Sequence, residues 1–317
     1  MRTYGGSVGR LPHWTRPGRL LGLVLTMLSV GIVTPQGAVA ELGESSSRLQ
    51  RIATGFLFVE GPVWHPRGFL IFSDIPTNTL YRWDPGYGVS VFSRPSGRAN
   101  GNTLDRWGRL VSAHHERYVS RIELGGAMTI LASMFQGKAL NSPNDVVVGR
   151  HGSLYFTDPP YGIHEHEEEL GFYGIYRIDP GGRLTLLVAH LTRPNGLAFS
   201  PDFKRLYVND SATNQIHEFA VTPEGGLSER PLFATMHDPT RAGVADGLKV
   251  DQKGNVYSIG PGGVWMFAPT GALLKRLEVP EKASNLAFGD ADLKTLYVTA
   301  STSVYRMRVS VPGTPLG

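Results

Sequence analysis

Cysteine is absent from the 317 residues, so no disulfide framework and no thiolate metal site can hold this chain together. Stability must come from burial. Charged residues are scarce, 18% against the ~25% usual for soluble domains. No run of eighteen apolar residues occurs, which leaves nothing long enough for a comfortable membrane span. Long helical patterns are missing as well. The 39 Gly and 22 Pro recur every few residues between short apolar runs, the punctuation of many short strands and tight turns. With 41% apolar residues the chain still sits in the globular range and outside the disordered classes.

Acidic residues are missing from the first forty positions, which carry Arg2, Arg10, Arg16 and Arg19. The formal charge of +4 rests on these four arginines, and the remainder is neutral, so a nucleic-acid partner is not indicated. Leu20 to Val33 is a run of 14 apolar or weakly polar residues, Pro35 breaks it, and Ala38-Val39-Ala40 places small residues at both recognition positions of a cleavage site. The expectation is a secretory signal peptide over 1–40. It leaves a single domain over 41–317, exported to the periplasm or secreted, with no stable membrane span in the mature form. Gly5-Gly6-Ser7-Val8-Gly9 fits the G-x-S-x-G pattern of a nucleophile elbow, but it follows no strand and precedes the apolar segment. It would leave with the signal.

What the chain does contain is a repeat. Six apolar segments open on a polar residue, usually beside a small one: Glu60-Gly61, Asn100-Gly101, Asn144-Asp145, Asn195-Gly196, Asp246-Gly247 and Asn285-Leu286. Their starts lie 40, 44, 51, 51 and 39 residues apart, and each is followed by a second and a third short strand pattern, as in Phe69–Phe72 and Thr79–Trp83. A period of this length marks a solenoid or a propeller. Six such units predict an all-β fold, a six-bladed β-propeller whose radial repetition shields its sheet edges. The sixth unit lacks room for a fourth strand, and Arg51 to Phe58 belongs to no unit. The expectation is that this N-terminal stretch pairs beside Ser303 to Val309 and closes the ring.

The innermost strand of every blade lines the central channel, so Glu60, Asn100, Asn144, Asn195, Asp246 and Asn285 should form one ring around the axis. All six are carboxylates or carboxamides. Such a set suits a hard divalent cation with oxygen ligands, Ca²⁺ before Mg²⁺, Mn²⁺ or Zn²⁺.

Glu60-Gly61-Pro62-Val63-Trp64, Asn141-Ser142-Pro143-Asn144-Asp145, Pro194-Asn195-Gly196-Leu197 and Ala245-Asp246-Gly247 resemble the blade openings of the senescence-marker-protein, gluconolactonase and luciferin-regenerating-enzyme-like family. Tyr155-Phe156-Thr157-Asp158-Pro159-Pro160-Tyr161-Gly162 adds a likeness to the bacterial gluconolactonase branch. The resemblance covers nearly all of 50–309. It implies a calcium-type ion at the channel mouth with Glu60, Asn144, Asn195 and Asp246 as ligands, Asp246 doubling as acid/base group. Asn100 and Asn285 would line the pocket, as would Asp158 and Tyr161. Ser142 stands where the animal branch places a substrate-contacting Arg, so sugar-contact rules do not carry over there.

A lactone needs its carbonyl polarised and a water activated, and a divalent ion with a nearby carboxylate can do both. His115, at the end of the second strand of the second unit, is the candidate for a proton shuttle or a substrate contact. His164-Glu165-His166-Glu167-Glu168-Glu169 lacks metal-binding spacing and reads as a solvated insertion. The expected activity is hydrolysis of a small-molecule lactone, a sugar lactone first, by a monomer or homodimer. An organophosphate or aryl-ester hydrolase on the same ring, or a non-catalytic ligand-binding propeller with structural calcium, are the rival readings.

Overall fold

The computed structural model describes residues 48–315. The signal-peptide reading of 1–40 and the motif at 5–9 lie outside the described residues. Each sequence period becomes one antiparallel sheet, and the six sheets are the blades of a propeller, covering 59–93, 99–132, 146–188, 194–235, 248–278 and 283–308. Within a blade the chain starts at the innermost strand and moves outward. Burial follows that order. The second strands Phe69–Asp74 and Leu154–Asp158 are buried at every position, whereas the outermost Leu273–Glu278 is exposed at all but one. Inner strands lie between neighbouring blades and need apolar residues on both faces, which is why they read as continuous runs of Leu, Ile, Val, Phe and Tyr.

The core is therefore a set of layers between blades. Val111 and Leu140 pack with Val146, Phe156 and Tyr176 in one layer, and Tyr207 and Ile216 with Leu248 and Val256 in another. Polar residues at one level of the second strands also tie blade to blade. Ser73 Oγ donates to Asn100 O at 2.7 Å and Thr157 Oγ1 to Asn195 O at 2.8 Å, while Asn209 Nδ2 donates to Asp246 O. Ser284 Oγ donates to Val59 O at 2.7 Å, which joins the sixth blade to the first.

The sixth blade takes its outer strand from the N-terminal side of the chain. Gln50–Thr54 runs antiparallel to Ser303–Arg308, with Arg51 opposite Tyr305 and Thr54 opposite Ser303. The strand stops short of the stretch expected from sequence. Gly55 turns the chain at φ 99°, both Gly55 and Phe56 donate their N–H to Thr302 O, and Phe58 already leads into the first blade.

Candidate active site

The ring residues sit where the innermost strands lose regular pairing. Register shifts occur between Glu60 and Val63, Ala99 and Asn102, Pro194 and Leu197, and Ala283 and Asn285. In the third and fifth blades pairing begins only at Val146 and Leu248, after Asn144 and Asp246. Such irregularities re-aim a side chain away from the ladder. Where a glycine follows a ring position, it has a steric cause. A Cβ on Gly61 would lie 1.9 Å from Asn100 O, one on Gly196 2.3 Å from Asp246 O, and one on Gly247 2.1 Å from Asn285 Oδ1. Each glycine lets the next blade's ring residue come close to the axis.

Glu60 and Asp246 are buried carboxylates that act on one another. Burial pushes Glu60 up to about 7, opposed by hydrogen bonds from Gly61 N–H at 2.8 Å and Asn285 Nδ2 at 3.0 Å, both on Oε2. Asp246 is raised well above the usual carboxylate range, first by burial and then by the charge of Glu60. Asn195 donates through Nδ2 to Ser211 Oγ at 3.0 Å, and the Ser211 hydroxyl in turn donates to Ala245 O at 2.5 Å. This chain fixes the amide orientation and leaves Asn195 Oδ1 buried without a partner. Asn144 is buried too, and its carboxamide takes part in no hydrogen bond among the described residues. Two carboxylates that repel, one orphaned amide oxygen and one unengaged amide are what a cation with oxygen ligands would satisfy. The donor set fits a divalent ion. Among the described residues no three His, Cys, Asp or Glu side chains gather as a metal site, because half of this set is carboxamide.

Of the other expected pocket residues, Asn100 and His115 meet directly. Asn100 Nδ2 lies 3.0 Å from His115 Nε2. Burial, aided by Arg98, lowers His115 to about 4, so the imidazole is neutral near pH 7 and its Nε2 accepts from Asn100. That leaves Asn100 Oδ1 buried and without a partner. The histidine thus orients the Asn100 amide. Asn285 supports Glu60 and accepts Leu286 N–H at 2.8 Å. Tyr161 is 39% exposed, its phenol is pushed up by burial with Ser211 and Asn195 pulling the other way, and Arg193 lies 5.8 Å from its ring.

Asp158 is completely buried and pushed up to about 7 by burial, and its Oδ2 accepts Asn141 N–H at 2.8 Å. It braces the segment leading to Asn144 from behind. Phe172 does similar work, accepting Asn141 Nδ2 at 3.0 Å through its carbonyl. Trp64 stacks on Tyr297 at 5.3 Å and lines a cavity away from the ring. The 164–169 segment is exposed or partly so, apart from its pairing of Glu169 with Arg117 at 3.1 Å.

Two site residues escaped the sequence reading. Asp145 stands where four of the blades have glycine, is buried, and is raised chiefly by burial. Lys249 reaches from the fifth blade to within 3.7 Å of Asp145 Oδ2 on the third. The signal for Asp145 was present, an acid breaking the small-residue pattern, whereas Lys249 lies in a strand with nothing to mark it.

Comparison with known proteins bears on this geometry. Residues 58–302 match the family described as SMP-30/Gluconolactonase/LRE-like region. A gluconolactonase from Zymomonas mobilis is 35% identical over 296 residues, covering 84% of this chain and 83% of its own. The solved structure of a gluconolactonase from Xanthomonas campestris superposes with a TM-score of 0.76 at 33% identity, over 84% of this chain and 90% of that one. A calcium-binding protein, regucalcin, from Agrobacterium tumefaciens shares the fold, with a TM-score of 0.73 at 22% identity over 85% of this chain and 97% of that one.

Proposed function

The chain belongs to the SMP-30/gluconolactonase/LRE-like family, and on that premise we propose that it is a lactonase that opens the ring ester of a sugar lactone, gluconolactone first among candidates. The observation that carries the reading is the buried pair Glu60 and Asp246, each raised in a setting that offers carboxamide oxygens and no counter-charge in direct contact. Glu60, Asn144, Asn195 and Asp246 would hold a divalent cation, calcium by preference because every donor is oxygen. When bound, such a cation supplies Lewis-acid polarisation of the lactone carbonyl and acidifies water.

The chain's own residues do the rest. Asn285 and Gly61 N–H pin Glu60 Oε2, and Ser211 pins the Asn195 amide. Asn100, oriented by His115, offers Oδ1 as an acceptor for a substrate hydroxyl. Asp246 is the group placed to take the proton from the attacking water, a role it would combine with holding the cation. Export belongs to the same proposal: residues 1–40 direct the chain out of the cytoplasm and are removed near Glu41.

The test is a panel. Mature protein stripped of metal is assayed on gluconolactone, an acyl lactone and a phosphotriester, with Ca²⁺, Mg²⁺, Mn²⁺ and Zn²⁺ added singly. Turnover of the sugar lactone that appears only with a divalent ion supports the reading. Turnover indifferent to chelation, or confined to the phosphotriester, overturns it.

A further inference from the structure

The innermost strands carry their ring residues at one end only. Three or four residues further along they supply Val63, Val147, Ala198, Phe199, Val250 and Phe288, which line a cavity of 630 Å³ away from the ring. That volume falls within the roughly 300–1,000 Å³ of small-molecule sites, which are mostly apolar with a few placed polar groups. The acids on its wall are already engaged. Asp105 is held by Arg109 at 2.7 Å, and Asp290 accepts from Tyr297 at 2.8 Å and faces Arg308 at 3.4 Å.

Lys249 is different. Its side chain lines the cavity, keeps 20% exposure, and donates one hydrogen bond, to Leu248 O at 2.9 Å. It also pairs with the Asp145 carboxylate, its Nζ 3.7 Å from Oδ2, a separation that leaves its remaining donors free for a closer acceptor. An ammonium carries three donors, so two remain for an acceptor with negative charge that enters the cavity. Arg106 at the exposed rim, stacked on Trp107 and without a carboxylate partner among the described residues, adds positive potential at the entrance.

We propose that this cavity is a second ligand site, for an anionic amphiphile: a medium-chain carboxylate whose head group sits on Lys249 and whose chain lies along Val147, Ala198 and Phe288. A neutral chain of equal length would bury the same apolar area and leave the ammonium donors unmet. Occupancy of this site does not require lactone turnover.

Calorimetric titration of the metal-loaded mature protein with octanoate and with octanol tests it. Octanoate should bind at least ten-fold more tightly than octanol. Lys249→Met should weaken octanoate at least ten-fold, while Lys249→Arg stays within a few-fold of wild type. Val147→Trp, which fills the cavity, should abolish binding with far-UV dichroism unchanged; should it misfold, the two lysine variants decide. Absence of octanoate binding to the wild type, equal affinity for octanol, or indifference to Lys249→Met would each overturn the proposal and leave the lactonase reading as it stands.

Discussion

The two ends of the channel are built by the same six strands and yet do opposite things. At the ring end the strands begin on Glu60, Asn100, Asn144, Asn195, Asp246 and Asn285, pairing is irregular, and buried acids are pushed up in a setting short of cations. A few residues on, the strands turn to valine, alanine and phenylalanine around a cavity with Lys249 on its wall. Acids dominate one level of the channel and a lysine marks the other. Lys249 pairs with Asp145, the residue that follows the ring position Asn144. Proximity on one set of strands need not mean one function: each level should answer to its own ligand and its own substitutions.

The largest effect should come from Asp246→Asn. It keeps shape and an oxygen donor but removes both a negative charge and the proposed proton acceptor, so lactone turnover should fall about 10²–10⁴-fold and stay low at saturating metal. Glu60→Gln removes charge alone. Its affinity for the divalent ion should drop roughly 10–100-fold while excess metal restores most turnover, and Asn285→Ala should follow it at the lower end of that range. Equal behaviour of Asp246→Asn and Glu60→Gln under excess metal would remove the distinction drawn between them.

Gly247→Ala addresses the closeness of the ring. Its new Cβ would meet Asn285 Oδ1 at 2.1 Å and Asn285 Cα at 2.6 Å, and since a backbone atom cannot rotate aside, thermal unfolding should show a loss of about 1–3 kcal/mol. A variant with unchanged melting would mean that the blades have slack at the axis.

The smallest effect concerns acid. His114 is buried and held at about 4 by desolvation, with Ser120 Oγ at 2.8 Å from its Nε2. Its folded value lies below its unfolded value, so its contribution is complete above pH 6.5 and is lost as pH falls toward 4. Between pH 7 and 5 this amounts to about 2 kcal/mol. Denaturant titrations at the two pH values should show His114→Gln losing less than wild type over that interval. An identical loss in both would assign the acid sensitivity to other groups.

The propeller was legible because radial repetition writes the same polar-then-apolar opening six times, and the period survives changes in loop length. The ring was legible for the same reason. The interblade ties from Ser73, Thr157 and Asn209 were not, since each is one polar residue at the end of an apolar strand and its partner lies in the next blade. Asp158 had the opposite fate. Its motif marked it as a pocket residue, but completely buried it holds the Asn141 backbone, a role that depends on which way the strand faces. The sequence marked His115 as a proton shuttle or substrate contact but not its hydrogen bond to Asn100, which depends on how the two strands face one another. Lys249 could not be found from sequence, because the carboxylate it reaches is more than a hundred residues away.

The central claim, that the ring of carboxylates and carboxamides is the metal site on which turnover depends, is met most directly by calorimetric titration of calcium into the metal-stripped protein and its Glu60→Gln, Asp246→Asn and His115→Ala variants at neutral pH. The account predicts one ion per wild-type chain, affinity lowered at least ten-fold in both carboxylate variants, and affinity near wild type in His115→Ala. Unaltered calcium affinity in both carboxylate variants would contradict it.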